Sequence, residues 1–321
     1  MADRRLFLTY SLAAASTYAL SADYTSSAAA ATQLLLVPLQ GRLSLVQGGA
    51  ANIVVASANN ALLLVDGGAA VDARALQKLL AKHYPGQMLR AVFNTHWHMV
   101  HTGYNATARK QGADVIAHEN TRLWLSTEVN SRWEGRIYKP QPAAALPNRT
   151  FLYDAQTFDF GGTVVQYAHL GQAHTDGDIY VRFPDENVIV TGGVFTPGRY
   201  PIVDTACNGY LGGINAALRT IGALCDNQTR LVPGRGPVSG LPVLQQQLDM
   251  GNTVLTRMSD HYRKGGSFAE FVALRPTAEF DAQYGEPGQF LKQAYESAWY
   301  QVGSMGVLPT GLPPVAPGRA R

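Results

Sequence analysis

The chain has 321 residues and is poor in cysteine and in charged side chains, and each shortage argues against a class of function. Neither of its two cysteines, Cys207 and Cys225, stands in a CxxC-like spacing, so we expect no cysteine zinc site. The net charge of +3 is too small to argue for nucleic-acid binding. No stretch of 18 apolar residues occurs, so no ordinary membrane span is expected.

The remaining composition, 46% hydrophobic and 15% charged with 32 glycines, is typical of a globular protein with many tight turns. In an oxidising compartment, Cys207 and Cys225 could pair and close a loop, which contributes roughly 3 kcal/mol in the chain-entropy model. Two separate buried thiols are an equal alternative.

Residues 1–22 have the layout of an export signal. Arg4 and Arg5 precede an apolar, alanine-rich segment that runs to Leu20, and small residues follow it. The paired arginines are similar to a twin-arginine signal, which predicts a periplasmic or secreted protein. A short amphipathic N-terminal helix is the alternative. Residues 23–34, rich in Ala, Ser and Thr, are expected to be a disordered lead-in.

The most informative segment is residues 94–103, NTHWHMVHTG, which follows an apolar, strand-like stretch. Its three histidines, His96, His98 and His101, can point at one spot from a loop between a strand and a helix. Neutral imidazole is a common zinc ligand, so this run predicts a metal site.

This run resembles the HxHxDH signature of the metallo-β-lactamase superfamily, with Val100 where the family has an aspartate. Four further segments resemble the family's other motifs, in the same order along the chain. They are 62–68 (LLLVDGG), 171–178 (GQAHTDGD), 188–195 (VIVTGGVF) and 231–237 (LVPGRGP). The resemblance implies an α/β fold, the αββα metallo-β-lactamase sandwich.

The resemblance also implies the metal ligands. His96, His98 and His174 would bind the first metal ion, zinc, and all three are present. Of the four positions that would bind a second ion, only His101 is still a ligand type. The other three positions are occupied by Val100, Gly193 and Arg235.

These three replacements predict that the second metal site is lost. A valine cannot ligate, a glycine has no side chain, and an arginine has no lone pair to donate. We therefore expect a single zinc ion.

The residues around the metal suggest further roles. His101 would reach the attacking water or the substrate, and Asp66 would brace the histidine loop from the end of a buried strand. Arg235 could occupy the empty metal position and bind a substrate carboxylate. Asp176 and Asp178 would hold the metal-binding histidines in place, or would simply cap the turn within the third motif.

Along the chain, we expect the metallo-β-lactamase-like domain over residues 35–245 and a helical C-terminal extension over 246–312. A disordered tail is expected over 313–321. Residues 134–150 contain several prolines and are expected to form a long loop.

The predicted function is hydrolysis of a small-molecule substrate. Water activated at a mononuclear or impaired zinc centre would attack an amide, lactam, ester or thioester carbonyl. The alternative is an inactive protein that keeps the fold to bind a ligand or partner, because fold alone does not fix function. Phosphodiesterase and nuclease chemistry usually need two metals and a basic surface, so the sequence argues against them.

Overall fold

The computed structural model describes residues 33–304, with side chains given only up to residue 298. The predicted export signal (1–22), the predicted tail (313–321) and almost all of the lead-in (23–34) lie outside the described residues, so export stays a prediction. Among the helices of the described part, none combines the length and apolar character needed to cross a bilayer.

The described chain begins with a strand-rich half. Its elements are β1 (Leu35–Gln40), β2 (Leu43–Gln47), β3 (Ile53–Ala58), β4 (Ala61–Val65), α1 (Ala73–His83), β5 (Met88–Phe93), α2 (Met99–Thr102), α3 (Asn105–Lys110), β6 (Asp114–His118), α4 (Glu119–Ser126), β7 (Val129–Ser131), β8 (Arg136–Tyr138) and β9 (Arg149–Phe151).

The second half begins with strands and ends with helices. Its elements are β10 (Gln156–Phe160), β11 (Thr163–His169), β12 (Ile179–Phe183), β13 (Val188–Gly192), α5 (Leu211–Ala223), β14 (Arg230–Pro233), α6 (Leu241–Arg263), α7 (Phe268–Ala273), α8 (Asp281–Tyr284) and α9 (Gly288–Ser304). Short 3-10 helices cover Ala70–Asp72, Ala143–Ala145 and Thr205–Cys207.

Two sheets face each other. The first has the strand order β1-β2-β3-β4-β5-β6-β9, and the second has the order β10-β11-β12-β13-β14. Each sheet changes from antiparallel to parallel pairing toward one side, at β4–β5 in the first and at β13–β14 in the second. Parallel strands of this kind are covered on both faces, which explains why β4 and β13 are continuous apolar runs.

Alternate side chains of these strands enter different cores, as the two-residue period of a strand requires. Leu63 of β4 and Val190 of β13 pack in the core between the sheets. Their neighbours Leu64 and Ile189 face outward and pack in the cores beneath the outer helices. The result is the predicted αββα layering.

The turn between β3 and β4 shows how the sequence enforces this register. Asn59 and Asn60 have φ angles of 47° and 57°, the left-handed region that two-residue hairpins of this twist require. Asparagine tolerates that region better than most residues. Ala58 therefore pairs with Ala61, and the apolar residues of β4 stay in phase with β3.

Residues 134–150 are not the single long loop that we expected. β7 and β8 pair as a short antiparallel hairpin, and β9 joins the edge of the first sheet beside β6. The prolines of this region lie between these elements, where no strand N–H is needed.

The C-terminal region is helical, as predicted, and its first helix starts inside the sandwich domain, because α6 runs without a break across residue 245. Its apolar face packs with α5 and α9 over the outer face of the second sheet. Cys207 and Cys225 are both free thiols in this structure, the first buried and the second half-buried.

A stacked pair of histidines joins the two sheets near the site. His118 ends β6 and His169 ends β11, and their rings are parallel within 13° with centroids 3.7 Å apart. His118 Nδ1 accepts from the Asn120 N–H, and His118 Nε2 donates to the Leu152 carbonyl. A ring with one donating and one accepting nitrogen is a neutral imidazole.

Burial, followed by the neighbouring charge of His169, lowers the pKa of His118 to about 4, although the hydrogen bond to the Leu152 carbonyl acts to raise it. Burial also lowers the pKa of His169. Since the unfolded chain takes up these protons at higher pH than the folded one, the folded state loses stability as pH falls. The loss begins near the ordinary histidine value of 6.5 and continues down to about 4.

We predict that His118→Gln reduces the dependence of the free energy of unfolding on pH. One histidine contributes a slope of at most about 1.4 kcal/mol per pH unit in the free energy of unfolding, and the variant loses that contribution. Urea unfolding between pH 7 and pH 4.5 measures the slope. His83→Gln, an exposed site on α1, is the matched control. An unchanged slope in His118→Gln would contradict the prediction.

Candidate metal centre

The candidate site lies at one edge of the sandwich, where the carboxyl ends of strands from both sheets meet. Asp66 follows β4 and residues 94–98 follow β5, while Gly193 and Arg235 follow β13 and β14. The Thr95 carbonyl accepts a hydrogen bond from the Ile179 N–H at 2.9 Å, which joins this loop to the start of β12. His174 comes from the loop between β11 and β12.

The three histidines predicted to bind the first metal come together. One ring nitrogen from each of His96, His98 and His174 lies within 4.8 Å of the other two. His98 Nδ1 and His174 Nε2 are 3.2 Å apart, and His96 Nε2 is the nitrogen that His96 leaves without a hydrogen-bond partner in the described part of the chain.

The other nitrogen of each ring is held by a defined acceptor. His174 Nδ1 donates to the Ile202 carbonyl at 2.8 Å, and His98 Nε2 donates to Asp204 Oδ2 at 2.9 Å. His96 Nδ1 lies 3.0 Å from Thr95 Oγ1, whose own proton goes to Asp66. The Thr95 oxygen is thus an acceptor for His96.

These partners fix the tautomers, since a neutral imidazole carries one proton. Each outer nitrogen donates, so the three inner nitrogens all present lone pairs to one another. A proton between His98 and His174 would leave His96 Nε2 unsatisfied, whereas a metal ion can accept from all three. The residues therefore fit a metal held by three imidazoles, with the outer acceptors of the kind that orient metal-binding histidines.

Burial favours the neutral, metal-binding form of these rings. It lowers the pKa of His96 well below the ordinary value, with the charges of neighbouring histidines and of Arg235 acting in the same direction. Burial, followed by the charge of His98, lowers the pKa of His174 to about 3. Burial acts to raise the pKa of Asp204, but the hydrogen bond and charge of His98 hold it below its ordinary value.

Asp66 lies at the end of β4, beside the histidine loop. Its carboxylate accepts from the Thr95 N–H at 2.8 Å and from His101 Nδ1 at 2.7 Å. Its φ of 64° turns the chain sharply at the end of β4, a conformation that is sparsely populated outside glycine. Asp66 thus braces the histidine loop and holds His101 beside the ring of His96, with centroids 4.3 Å apart.

Asp176 and Asp178 bond to none of the three metal-site rings. Asp176 accepts from Trp124 Nε1 at 2.6 Å and from Asn208 Nδ2 at 2.7 Å. Asp178 accepts from the N–H and the hydroxyl of Thr175 at 2.7 and 3.1 Å. Asp178 thus bonds within the turn after His174, whereas Asp176 ties this loop to α4 and to Asn208.

The carboxylate that does hold a metal-site ring is Asp204, which the sequence analysis missed. It is fully buried and also accepts from Trp97 Nε1 at 3.3 Å. It lies in an irregular segment 30 residues after His174, without a motif of its own. Only the fold shows that this aspartate is buried and lies two residues after Ile202, whose carbonyl holds His174.

The predicted loss of the second metal site has a steric counterpart in the structure. A Cβ added at Gly193 would lie 2.3 Å from His174 Cδ2, so the histidine ring occupies the space that a longer residue would need. Arg235 is half-buried and lines a cavity of about 200 Å³ with residues 49–52, Arg199 and Gly236.

A hairpin turn also borders the site. Trp133 lies in the turn between β7 and β8, and its ring centroid is 6.2 Å from that of His98. Tyr138 of β8 packs edge-on against Trp97 at 5.3 Å. The short hairpin therefore forms an aromatic wall on the side of His98.

We predict that Asp204→Ala lowers zinc affinity about 10- to 100-fold, because His98 loses the acceptor that fixes its tautomer and orientation. Competition with a chromogenic chelator measures the affinity. Asp176→Ala is the matched control, since that carboxylate is also buried yet holds no ring. Equal losses in both variants would show that Asp204 acts only through general stability.

Comparison with known proteins shows which family the chain belongs to. The sequence model of the Metallo-beta-lactamase superfamily matches residues 46–242, more than half of the chain. A curated relative, the 2,4-dinitroanisole O-demethylase subunit alpha of Nocardioides sp. (strain JS1661), is 24% identical over 168 residues. The alignment covers 52% of this chain and 48% of that protein, so it spans about half of the relative's own length.

Solved structures share the fold. The metallo-beta-lactamase from Pontibacter korlensis has a TM-score of 0.56 at 18% identity, with 68% of this chain and 99% of that chain covered. The DIM-1 metallo-beta-lactamase has a TM-score of 0.56 at 16% identity, with coverages of 69% and 98%. For the BLEG-1 B3 metallo-beta-lactamase, the TM-score is 0.52 at 22% identity, with coverages of 67% and 96%.

At these identities, the structural likeness concerns the fold alone. The match to the superfamily goes further, because it covers the strands and loops that carry all three metal-site histidines. The predicted family and fold are confirmed, and the chain belongs to the metallo-beta-lactamase superfamily.

Proposed function

We propose that this chain is a hydrolase that uses one zinc ion and acts on a small carbonyl substrate bearing a negative charge. Membership of the superfamily supports a hydrolase-type function. The observation that carries the proposal is the convergence of three imidazole lone pairs from His96, His98 and His174 on one point. Three histidines that leave one position open are the pattern of catalytic zinc sites, whereas structural sites are closed by four protein ligands.

The metal would supply polarisation of the carbonyl and a more acidic water, as in other hydrolytic zinc sites. The protein supplies the rest. His101 donates its Nδ1 proton to Asp66, which leaves Nε2 as a proton acceptor beside His96. His101 is therefore the candidate general base, and Asp66 holds its tautomer.

Arg235 supports an anionic substrate. Its charge acts on His96, and its guanidinium lines the cavity together with exposed Arg199. The amide of Asn52, in the same wall, is bonded to the Pro233 and Gly236 carbonyls, so it fixes the loop that carries Arg235. Arginine binds carboxylates through paired N–H donors, and we assign the substrate's negative group to this cavity.

The test compares matched pairs of esters, lactones and lactams with and without a carboxylate, using zinc-loaded protein. 2,4-Dinitroanisole belongs in the panel because of the curated relative's name. We expect His174→Ala to abolish turnover. Arg235→Ala should raise KM for the carboxylate substrates by roughly 10- to 100-fold, the effect of losing a charged hydrogen bond, and leave the neutral ones unchanged.

Arg219→Ala, a substitution on the outer helix α5, is the matched control and should change neither substrate class. Equal effects of Arg235→Ala on charged and neutral substrates would contradict the assignment of the negative group. If the zinc-loaded protein turned over no member of the panel, the second candidate would be favoured. That candidate is a binding protein without turnover, and the loss of ligands at Val100, Gly193 and Arg235 supports it.

A further inference from the structure

One irregular segment, residues 194–204, carries the acceptors for two of the three metal-site histidines. The Ile202 carbonyl accepts from His174 Nδ1, and Asp204 Oδ2 accepts from His98 Nε2. The segment has neither helix nor strand structure, and Pro197 and Pro201 have no N–H to donate. Its position therefore depends on contacts from other parts of the fold.

Those contacts come from the C-terminal helices. Gln293 of α9 accepts from the Val203 N–H at 3.2 Å, and Val203 lies between Ile202 and Asp204. Gln293 is 2% exposed, so this hydrogen bond is shielded from water. A single peptide N–H held in this way fixes the chain between the two acceptors.

The rest of the segment is held by the same helices. The ring of Tyr200 stacks on Phe290 of α9, with centroids 4.8 Å apart, and its hydroxyl donates to Asp281 of α8 at 2.7 Å. Gln247 of α6 accepts from the Thr196 N–H at 2.7 Å and donates to the Val194 carbonyl at 3.0 Å. Both ends of the segment are thus tied to the extension.

We propose that the C-terminal helices set the metal affinity of the three-histidine site through this segment, with Gln293 as a positioning residue. The matched part of the superfamily ends at residue 242, so Gln247, Asp281, Phe290 and Gln293 all lie beyond it. The inference rests on the metal binding proposed above. It assigns the extension a role in the site, in addition to covering the second sheet.

The central variant is Gln293→Met, which keeps the size of the side chain and removes the acceptor. Gln293→Glu keeps an acceptor oxygen, and because Gln293 Nε2 has no hydrogen-bond partner among the described residues, the change loses no other bond. Ser297→Ala is the matched control: it is buried one turn along α9, and its hydroxyl bonds to the carbonyl of Ala294 in its own helix.

Zinc affinity is measured by chelator competition and compared with thermal unfolding of the metal-free proteins. We expect Gln293→Met to weaken zinc binding about tenfold, the low end of the range for groups that orient metal ligands. Gln293→Glu should retain most of the wild-type affinity for zinc, and Ser297→Ala should leave that affinity unchanged. In metal-free protein, the ring signals of His98 and His174 in NMR spectra should shift in Gln293→Met alone.

Wild-type affinity in Gln293→Met would overturn this inference and leave the proposed zinc site intact. An equal loss in Ser297→Ala would overturn it as well, since the effect would then follow helix stability. A wild-type protein that binds no zinc would instead refute the proposed function, and this inference with it. If Gln293→Met does not fold, Tyr200→Phe removes the hydroxyl bonds to Asp281 and to the Thr277 carbonyl and keeps the ring, and it is expected to weaken zinc binding in the same direction.

Discussion

Three imidazole nitrogens that face one another with lone pairs impose the constraint on which the structure around the site depends. His98 Nδ1 and His174 Nε2 approach to 3.2 Å, and no proton of the assigned tautomers lies between them. Such an arrangement is unfavourable unless a cation is shared or the rings are held rigidly. Each ring is held at its outer nitrogen by an acceptor, so rotation away from the common point would break a hydrogen bond.

The fold supplies the rings and their acceptors from three places. The first sheet contributes Asp66, which acts through Thr95 on His96 and directly on His101. The loop between β11 and β12 contributes His174 itself, and the irregular segment that follows β13 contributes Ile202 and Asp204. At two positions where a second metal would need ligands, the ring of His174 fills the space beside Gly193, and Arg235 carries a fixed positive charge. The proposal of one ion and an anionic substrate rests on these two positions.

The sequence predicts the parts of this account that are local. Continuous apolar runs mark β4 and β13, and the short motifs name His96, His98 and His174, because these ligands lie in the loops that follow β5 and β11. The acceptors of His98 and His174 have no such signal. Ile202 acts through a backbone carbonyl that any residue provides, and Gln293 is 90 residues from the peptide it holds. Only tertiary packing brings these groups together, so they could not be read from spacing or periodicity.

The measurement that tests the central claim most directly is the zinc-to-protein ratio of protein folded with zinc and then dialysed, by elemental analysis. The geometry predicts one zinc per chain, reduced to near zero in a His96→Ala variant that still folds. A wild-type ratio near zero would contradict a three-histidine metal centre. A ratio near two would contradict the loss of the second site, since ligands other than Val100, Gly193 and Arg235 would have to rebuild it.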